Sequence, residues 1–504
     1  MKKASFLIWP QCILLALAAY LRIWNLGTRP FDGDEGVVLK IASQSSLKAV
    51  FHAAAADVHP PLVHWVTFFV KRTVGLTEFT ARFFPALAGV GAIYFIYQVL
   101  RRLFNEKIAL LGAFCSTISA VLIYSAAEAR FYSFLTFFFF GALYFALKIK
   151  EKDSFINWLW LTIFAIGLVY SQHLGWFLLL GLAVMILWGK NFRKNIGKLF
   201  VSLATILLAY LPQLAITVSQ IQGRVAEQPL LVSLKTNLIG IFNAFYRFAA
   251  GRIYLDLSPS ISTNLSWAKA NPWEFALFLA TLLIPAAIFI IGIIRTFKYK
   301  KAIVALSFII FGVILALFIS EIGSKASRYL IFLAPLYYGY LASGIVYLWF
   351  QKIWGKILVL AVIAVFIWGL VNYYSFTIKA PGENKVAMYI AQNLKPDEAI
   401  LTRGAYGGGE TFALDYYWPK DAAKPETFDF FGRYKAGNLA KLKAANLGDK
   451  IAEILLNHSG CWYYDFTYSK DSDDLAAKKQ VHQINLGNDK EGKPIKIWLY
   501  ERGN

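Results

Sequence analysis

The chain has 504 residues, 58% hydrophobic and 17% aromatic but only 16% charged, with a formal net charge of +21. Soluble domains carry about 25% charged residues, so this composition excludes a soluble globular protein, and repeated apolar runs of about 18 residues or more mark a polytopic membrane protein. The basic residues sit in short loops between those runs, so membrane topology explains the charge and nucleic acid is not an expected partner.

Three cysteines are present. Cys12 and Cys115 lie in apolar runs and Cys461 stands alone in the polar C-terminal region, with no disulfide pairing or zinc-type spacing.

A first helix is predicted over about 5–24, with Lys2 and Lys3 on its inner side. It lacks a small-residue cleavage site and reads as a span. Ten further helices are predicted at about 84–100, 107–126, 131–149, 155–172, 173–189, 199–218, 273–294, 303–320, 329–350 and 357–375. The segment Pro61 to Val74 is apolar but short, and Lys71-Arg72 interrupt it. If it lies in the membrane interface, every basic loop falls on one side. The N-terminus and the loops at 101–107, 148–153, 190–198, 295–301 and 352–356 then hold 18 Lys and Arg against three acids, Glu106, Glu151 and Asp153. The expectation is about eleven transmembrane helices over 1–375, N-terminus cytoplasmic, in the cytoplasmic (inner) membrane.

Three features face outward in this scheme: a first loop at 25–83, a second long loop at 219–272 with Arg224, Glu227, Arg247, Arg252 and Asp256, and a tail at 376–504. The tail reads as a small extracytoplasmic α/β domain, with a helix over Lys385 to Leu394 and strands at Ala399 to Thr402, Cys461 to Phe466 and Lys496 to Tyr500. Gly407-Gly408-Gly409 is expected in a loop and lacks the Gly-Lys-Ser/Thr end of a phosphate loop. No internal repeat stands out, which weighs against an inverted-repeat transporter.

Arg29-Pro30-Phe31-Asp32-Gly33-Asp34-Glu35-Gly36 places three carboxylates in four residues at the outer end of the first helix. They read either as a solvated acidic loop or, with Asp34 foremost, as a reactive group. Glu128-Ala129-Arg130-Phe131-Tyr132 lies between two apolar runs at the same outer rim. Ionisable groups at membrane depth are functional candidates, and the bland alternative is an ion pair that pins helix ends. His59 in Asp57-Val58-His59-Pro60-Pro61 and His173 in Tyr170-Ser171-Gln172-His173 are structural, or could join the first-loop acids around a divalent metal ion. Glu321, Lys325, Arg328 and Tyr329 form a short outer loop whose cations suit a lipid headgroup or a specific phosphate.

In order along the chain stand Asp34-Glu35, His59-Pro60-Pro61-Leu62, Thr77-Glu78-Phe79-Thr80-Ala81-Arg82-Phe83-Phe84-Pro85, Arg101-Arg102-Leu103-Phe104, Glu128-Ala129-Arg130-Phe131-Tyr132, and Arg328-Tyr329 with Pro335. This series, over about residues 5–350, resembles the bacterial and archaeal glycosyltransferases related to protein O-mannosyltransferases and to the aminoarabinose transferase of lipid A. The resemblance implies the C-type glycosyltransferase fold and an inverting transferase of the cell envelope. Its donor would be a polyprenyl-phosphate sugar, a hexose or a pentose. Its acceptor would be a lipid, glycan or protein at the outer face. It implies Asp34, or else Glu35, as catalytic base. Glu128 is set beside them as a catalytic candidate, and His59, Arg130, Tyr132, Lys325, Arg328 and Tyr329 as substrate-binding candidates. The rival readings are a ligase moving a whole glycan from a pyrophosphate carrier, a flippase or other transporter, and a non-catalytic assembly protein.

Overall fold

The computed structural model describes residues 2–57, 59–188, 192–222, 230–251, 261–299, 301–318, 326–380, 382–403, 409–429, 447–465, 470–479, 481, 483–488 and 494–502. The helices run α1 (Lys2–Ile23), α2 (Gly33–Ala42), α3 (Leu47–Ala53), α4 (Leu62–Thr73), α5 (Glu78–Leu103), α6 (Glu106–Ile118), α7 (Ala120–Ala126), α8 (Tyr132–Glu151), α9 (Phe155–Ser171), α10 (Leu174–Leu187) and α11 (Phe192–Gln222). They continue with α12 (Leu230–Ala250), α13 (Ile261–Ala270), α14 (Pro272–Thr296), α15 (Ala302–Phe318), α16 (Ala326–Tyr329), α17 (Ala334–Trp349) and α18 (Ile353–Ser375). In the tail, α19 (Glu383–Asn393), β1 (Glu398–Arg403), α20 (Gly409–Tyr417), β2 (Thr427–Asp429), α21 (Leu447–Asn457), β3 (Gly460–Asp465), α22 (Lys470–Lys478), β4 (Gln483–Asn488) and β5 (Pro494–Glu501) follow.

Among the described residues, six helices are long and apolar enough to cross a membrane, or seven if the bent pair α6–α7 counts as one. Together with four shorter apolar helices, beginning at Trp9, Phe155, Leu174 and Ala302, they account for the eleven apolar segments the sequence predicts. Large apolar side chains such as Phe155, Phe200, Leu208, Trp273 and Leu360 remain exposed on them. So much exposed apolar area suits acyl chains and not water. Two helices, α12 and α13, form between 219 and 272, where the sequence reading expects a long outer loop. Arg224, Glu227, Arg252 and Asp256 lie outside the described residues, as do Glu321, Lys325, Gly407 and Gly408.

The chain divides into two compact units. The larger holds Met1–Trp24, Arg82–Leu214 and Val225–Tyr374. Among its helices, α14 and α17 cross at close range. A Cβ on Gly292 would lie 1.8 Å from the Tyr340 carbonyl oxygen, and one on Gly344 would lie 2.1 Å from that of Ile288. Small residues replace hydrophobic drive at such membrane contacts by permitting backbone approach. The helix break between α6 and α7, 57° at Ser119, strands carbonyls that would otherwise meet amides four residues on. Arg22, almost fully buried, takes two of them, donating to Ser116 and Thr117 at 3.2 Å each. Gly89 makes room for it, since a Cβ there would come within 3.2 Å of the Arg22 Cδ. The Ser119 hydroxyl meets Tyr338 Oη at 2.7 Å, and Tyr338 also reaches the Phe248 carbonyl. The bend is thus held by side chains from α1 and α17.

The smaller unit joins Asn25–Ala81 and Ala215–Arg224 to Ser375–Asn504. The first loop therefore packs with the tail. The tail sheet has the order β2-β1-β3-β5-β4, with β1 parallel to β2 and β3, and β5 antiparallel to β3 and β4. Residues alternate along each strand, as a two-faced sheet requires. Ile400, Trp462 and Ile497 face α19 and α20, while Leu401, Tyr463 and Trp498 face α21 and α22. The three strands and the helix predicted for the tail are present within a residue or two.

Candidate functional site

The acidic stretch folds into the start of α2. Asp32 is its N-cap: its Oδ1 accepts the Glu35 N–H at 2.9 Å, and the Glu35 carboxylate reaches back to the Asp32 N–H at 3.4 Å. Two amides of the first turn are thereby satisfied reciprocally. Arg29 completes the cap, with Nη1 3.2 Å from Asp32 Oδ2 and Nη2 3.3 Å from Glu35 Oε2. All three side chains are buried. Glu35 is thus committed to the fold of the loop. Asp34 is half-buried in the same first turn and is not one of the cap's two carboxylates. The cap's signature, an Asp followed three residues later by a Glu, is legible in the sequence.

Tail and loop meet around this cap. The Tyr417 hydroxyl on α20 accepts the Phe31 N–H at 2.7 Å and donates to Glu78 Oε1 at 2.7 Å. Tyr416 packs edge-on against the Phe31 ring at 5.2 Å, and its hydroxyl donates to the Leu76 carbonyl. Gly382 lies against Pro30, where a Cβ would meet the ring at 3.1 Å.

His59 is buried in the turn that leads to α4. Gln220, on the last turn of α11, holds this turn: its Nε2 donates to the carbonyls of Ala54 and Asp57 at 3.0 and 2.6 Å, and approaches that of His59 at 3.4 Å. Asp57 pairs with His64 of α4 at 3.1 Å, both buried. Sequence reasoning passed over His64 because the pairing spans the Pro60-Pro61 corner. The helix α4 has 12 residues, about 18 Å, too short for a hydrocarbon core of about 30 Å.

The remaining candidates belong to the larger unit. Glu128 and Arg130 occupy the turn between α7 and α8, and both are buried. The Arg130 guanidinium lies 5.9 Å from the centre of the Phe131 ring, and Phe131 packs on Tyr132 at 4.4 Å and on Tyr329 at 6.3 Å. Arg328, half-buried on α16, precedes Tyr329. The motif at 128–132 and the Arg328-Tyr329 pair, about 200 residues apart in sequence, thus form one polar and aromatic cluster. His173 is half-buried beside α10, with Nδ1 3.5 Å from the Tyr210 hydroxyl. Among the described residues, no group of three or more His, Cys, Asp or Glu side chains is arranged to hold a metal ion.

Residues 58–216 match the family model described as Dolichyl-phosphate-mannose-protein mannosyltransferase. No curated protein matches the chain. ArnT from Cupriavidus metallidurans, crystallised bound to undecaprenyl phosphate, is 15% identical with a TM-score of 0.53, over 97% of this chain and 97% of that one. The Archaeoglobus fulgidus oligosaccharyltransferase in its apo form is 13% identical with a TM-score of 0.56, over 92% of this chain and 70% of that one. The same enzyme in complex with Zn and sulfate gives 16% and 0.55, over 90% and 68%. Identities this low speak to the fold. The chain has the C-type glycosyltransferase fold of these membrane proteins, and its segment 58–216 matches the mannosyltransferase family model.

Proposed function

We propose that the chain is an inverting glycosyltransferase that moves one sugar from a polyprenyl-phosphate donor to a lipid, glycan or protein acceptor at the outer face of the cytoplasmic membrane. The observation that carries this reading is the Arg29–Asp32–Glu35 cap, which fixes Asp34 on a rigid first turn. The undecaprenyl phosphate bound to ArnT, a protein of the same fold, supports a lipid-phosphate donor.

In this mechanism the acceptor oxygen attacks the anomeric carbon from the side opposite the phosphate. A carbon–oxygen bond forms as the bond to the lipid phosphate breaks, and Asp34 takes the hydroxyl proton. The lipid phosphate leaves with its charge and needs no proton. A guanidinium suits it; Arg328 is the candidate for that role, and Glu128, Arg130, Tyr132 and Tyr329 are the candidates for binding substrate. Held geometry contributes several kcal/mol by removing translational freedom. The distribution of basic loops supports a cytoplasmic N-terminus and an extracytoplasmic tail.

The test is mass spectrometry of the lipids that copurify with the wild type and with Asp34→Asn. A polyprenyl-phosphate sugar enriched on the variant supports the reading and names the sugar by mass. Enrichment of a polyprenyl-pyrophosphate glycan moves the assignment to a whole-glycan ligase. Turnover retained by Asp34→Asn removes the base.

A further inference from the structure

At the end of the helix bundle that carries the basic loops lies a cavity of about 600 Å³ lined by Arg101, Arg102, Phe104, Glu151, Tyr299 and Lys301. None of these residues enters the proposed transfer. Three cations face one carboxylate. Arg101 and Lys301 form no ion pair among the described residues, whereas Arg102 pairs with Glu151 at 3.4 Å.

The two arginines are held in place. The Gln98 side-chain oxygen accepts from Arg101 Nη2 at 3.2 Å and from Arg102 Nη1 at 3.1 Å. Arg102 also donates to the Gln98 carbonyl at 3.0 Å and lies 4.6 Å over the Tyr144 ring. Arg101 lies 5.8 Å over the Tyr97 ring. Fixed guanidinium forks beside an exposed ammonium are well suited to a phosphate group. Tyr299 adds a hydroxyl, anchored 3.5 Å from Asn105 Nδ2.

The surface beside the cavity is apolar. Ile290 and Ile294, one turn apart on α14, and Phe297 at its C-cap are each more than half exposed and lead toward Tyr299. A ligand here therefore meets cations at one end and an acyl-compatible face at the other. The positive-inside rule sets this end in the cytoplasmic leaflet, where anionic phospholipids concentrate and where basic pockets between helices bind their headgroups. We propose that Arg101, Arg102 and Lys301 form a binding site for the phosphate of an anionic phospholipid. It is separate from the transfer site and does not depend on the transferase reading.

The experiment is native mass spectrometry of the full chain with added phosphatidylglycerol or phosphatidylcholine, for the wild type, Lys301→Gln, and Arg101→Gln/Lys301→Gln. The wild type should prefer phosphatidylglycerol, and the preference should fall about fivefold for each cation removed. Lys301 is exposed and has no ion pair among the described residues, so its substitution leaves folding intact and keeps the test valid if the double variant misfolds. An unchanged preference in Lys301→Gln overturns the proposal. Displacement of phosphatidylglycerol by an equal concentration of inorganic phosphate also overturns it, because the site would then serve a free phosphate.

Discussion

The guanidinium of Arg29 lies 3.3 Å from the carboxylate of Glu35, both buried, at the start of the helix that carries Asp34. Adjacent carboxylates thereby have different surroundings, and their substitutions should separate. Glu35→Gln weakens a buried, charge-assisted contact and should lower stability by about 1–3 kcal/mol. Asp34→Asn should leave the thermal midpoint within the error of the wild type and lower transfer by about 10²–10⁴-fold. Thermal unfolding and a transfer assay on both variants check this. Equal activity losses in both, with equal loss of stability, would sink the division of labour.

The second prediction concerns Tyr417. Its hydroxyl joins the Phe31 amide to Glu78, and so ties the tail to the residue just before the cap. Tyr417→Phe keeps the ring and removes both bonds, which should cost about 1–3 kcal/mol. Because Phe31 precedes Asp32, transfer should fall more than the change in stability explains at a temperature well below unfolding. A variant with wild-type turnover would show that the tail does not support the first loop in this way.

The apolar helices were legible in the sequence because a run of about 18 apolar residues needs no partner to be recognised. The helix α12 was not legible. It carries Lys235, Asn237, Asn243 and Arg247 among its apolar residues, and its polar groups find partners only in the fold, as Asn237 does at the Leu317 carbonyl, 3.2 Å away. The tail strands β1, β3 and β5 were read from short β-branched and aromatic runs, while β4 was missed because its residues are mostly exposed or half-buried. At the site, the cap at Asp32 and Glu35 was local and readable. The contact between Phe31 and Tyr417 spans 386 residues, and no local pattern announces it.

The third prediction tests the crossing of α14 and α17. Gly292→Ala sets a methyl group 1.8 Å from the Tyr340 carbonyl oxygen, a backbone atom that no side-chain rotation can move. Overpacking a dense core costs about 1–3 kcal/mol or more, so the variant should express poorly or lose its sharp melting transition. Gly197 on α11 is the control, since nothing lies within 4 Å of its would-be Cβ. Gly197→Ala should be neutral or stabilising by up to about 1 kcal/mol. If both variants melt like the wild type, the close crossing does not hold in solution.

The fourth prediction is an alkaline one and concerns Cys461. Its side chain is buried on β3, one residue before Trp462 and opposite Ala399, and burial pushes the thiol up to about 12. The thiolate is the reactive form. In a Cys12→Ala/Cys115→Ala background, Cys461 should therefore resist maleimide at pH 7.5 in the folded protein and react promptly in denaturant. The sign of the linked pH effect follows from the raised value. Below the ordinary thiol value of about 8.5 both states are protonated, and the neutral buried thiol favours the fold in full. As pH rises from there toward about 12, the unfolded chain loses its proton first and this contribution is lost. Cys461→Ala should thus lose less stability between pH 8.5 and pH 11 than the parent, measured by chemical unfolding of the two proteins. Rapid labelling of the folded parent at pH 7.5 would show that β3 opens far more readily than its packing allows.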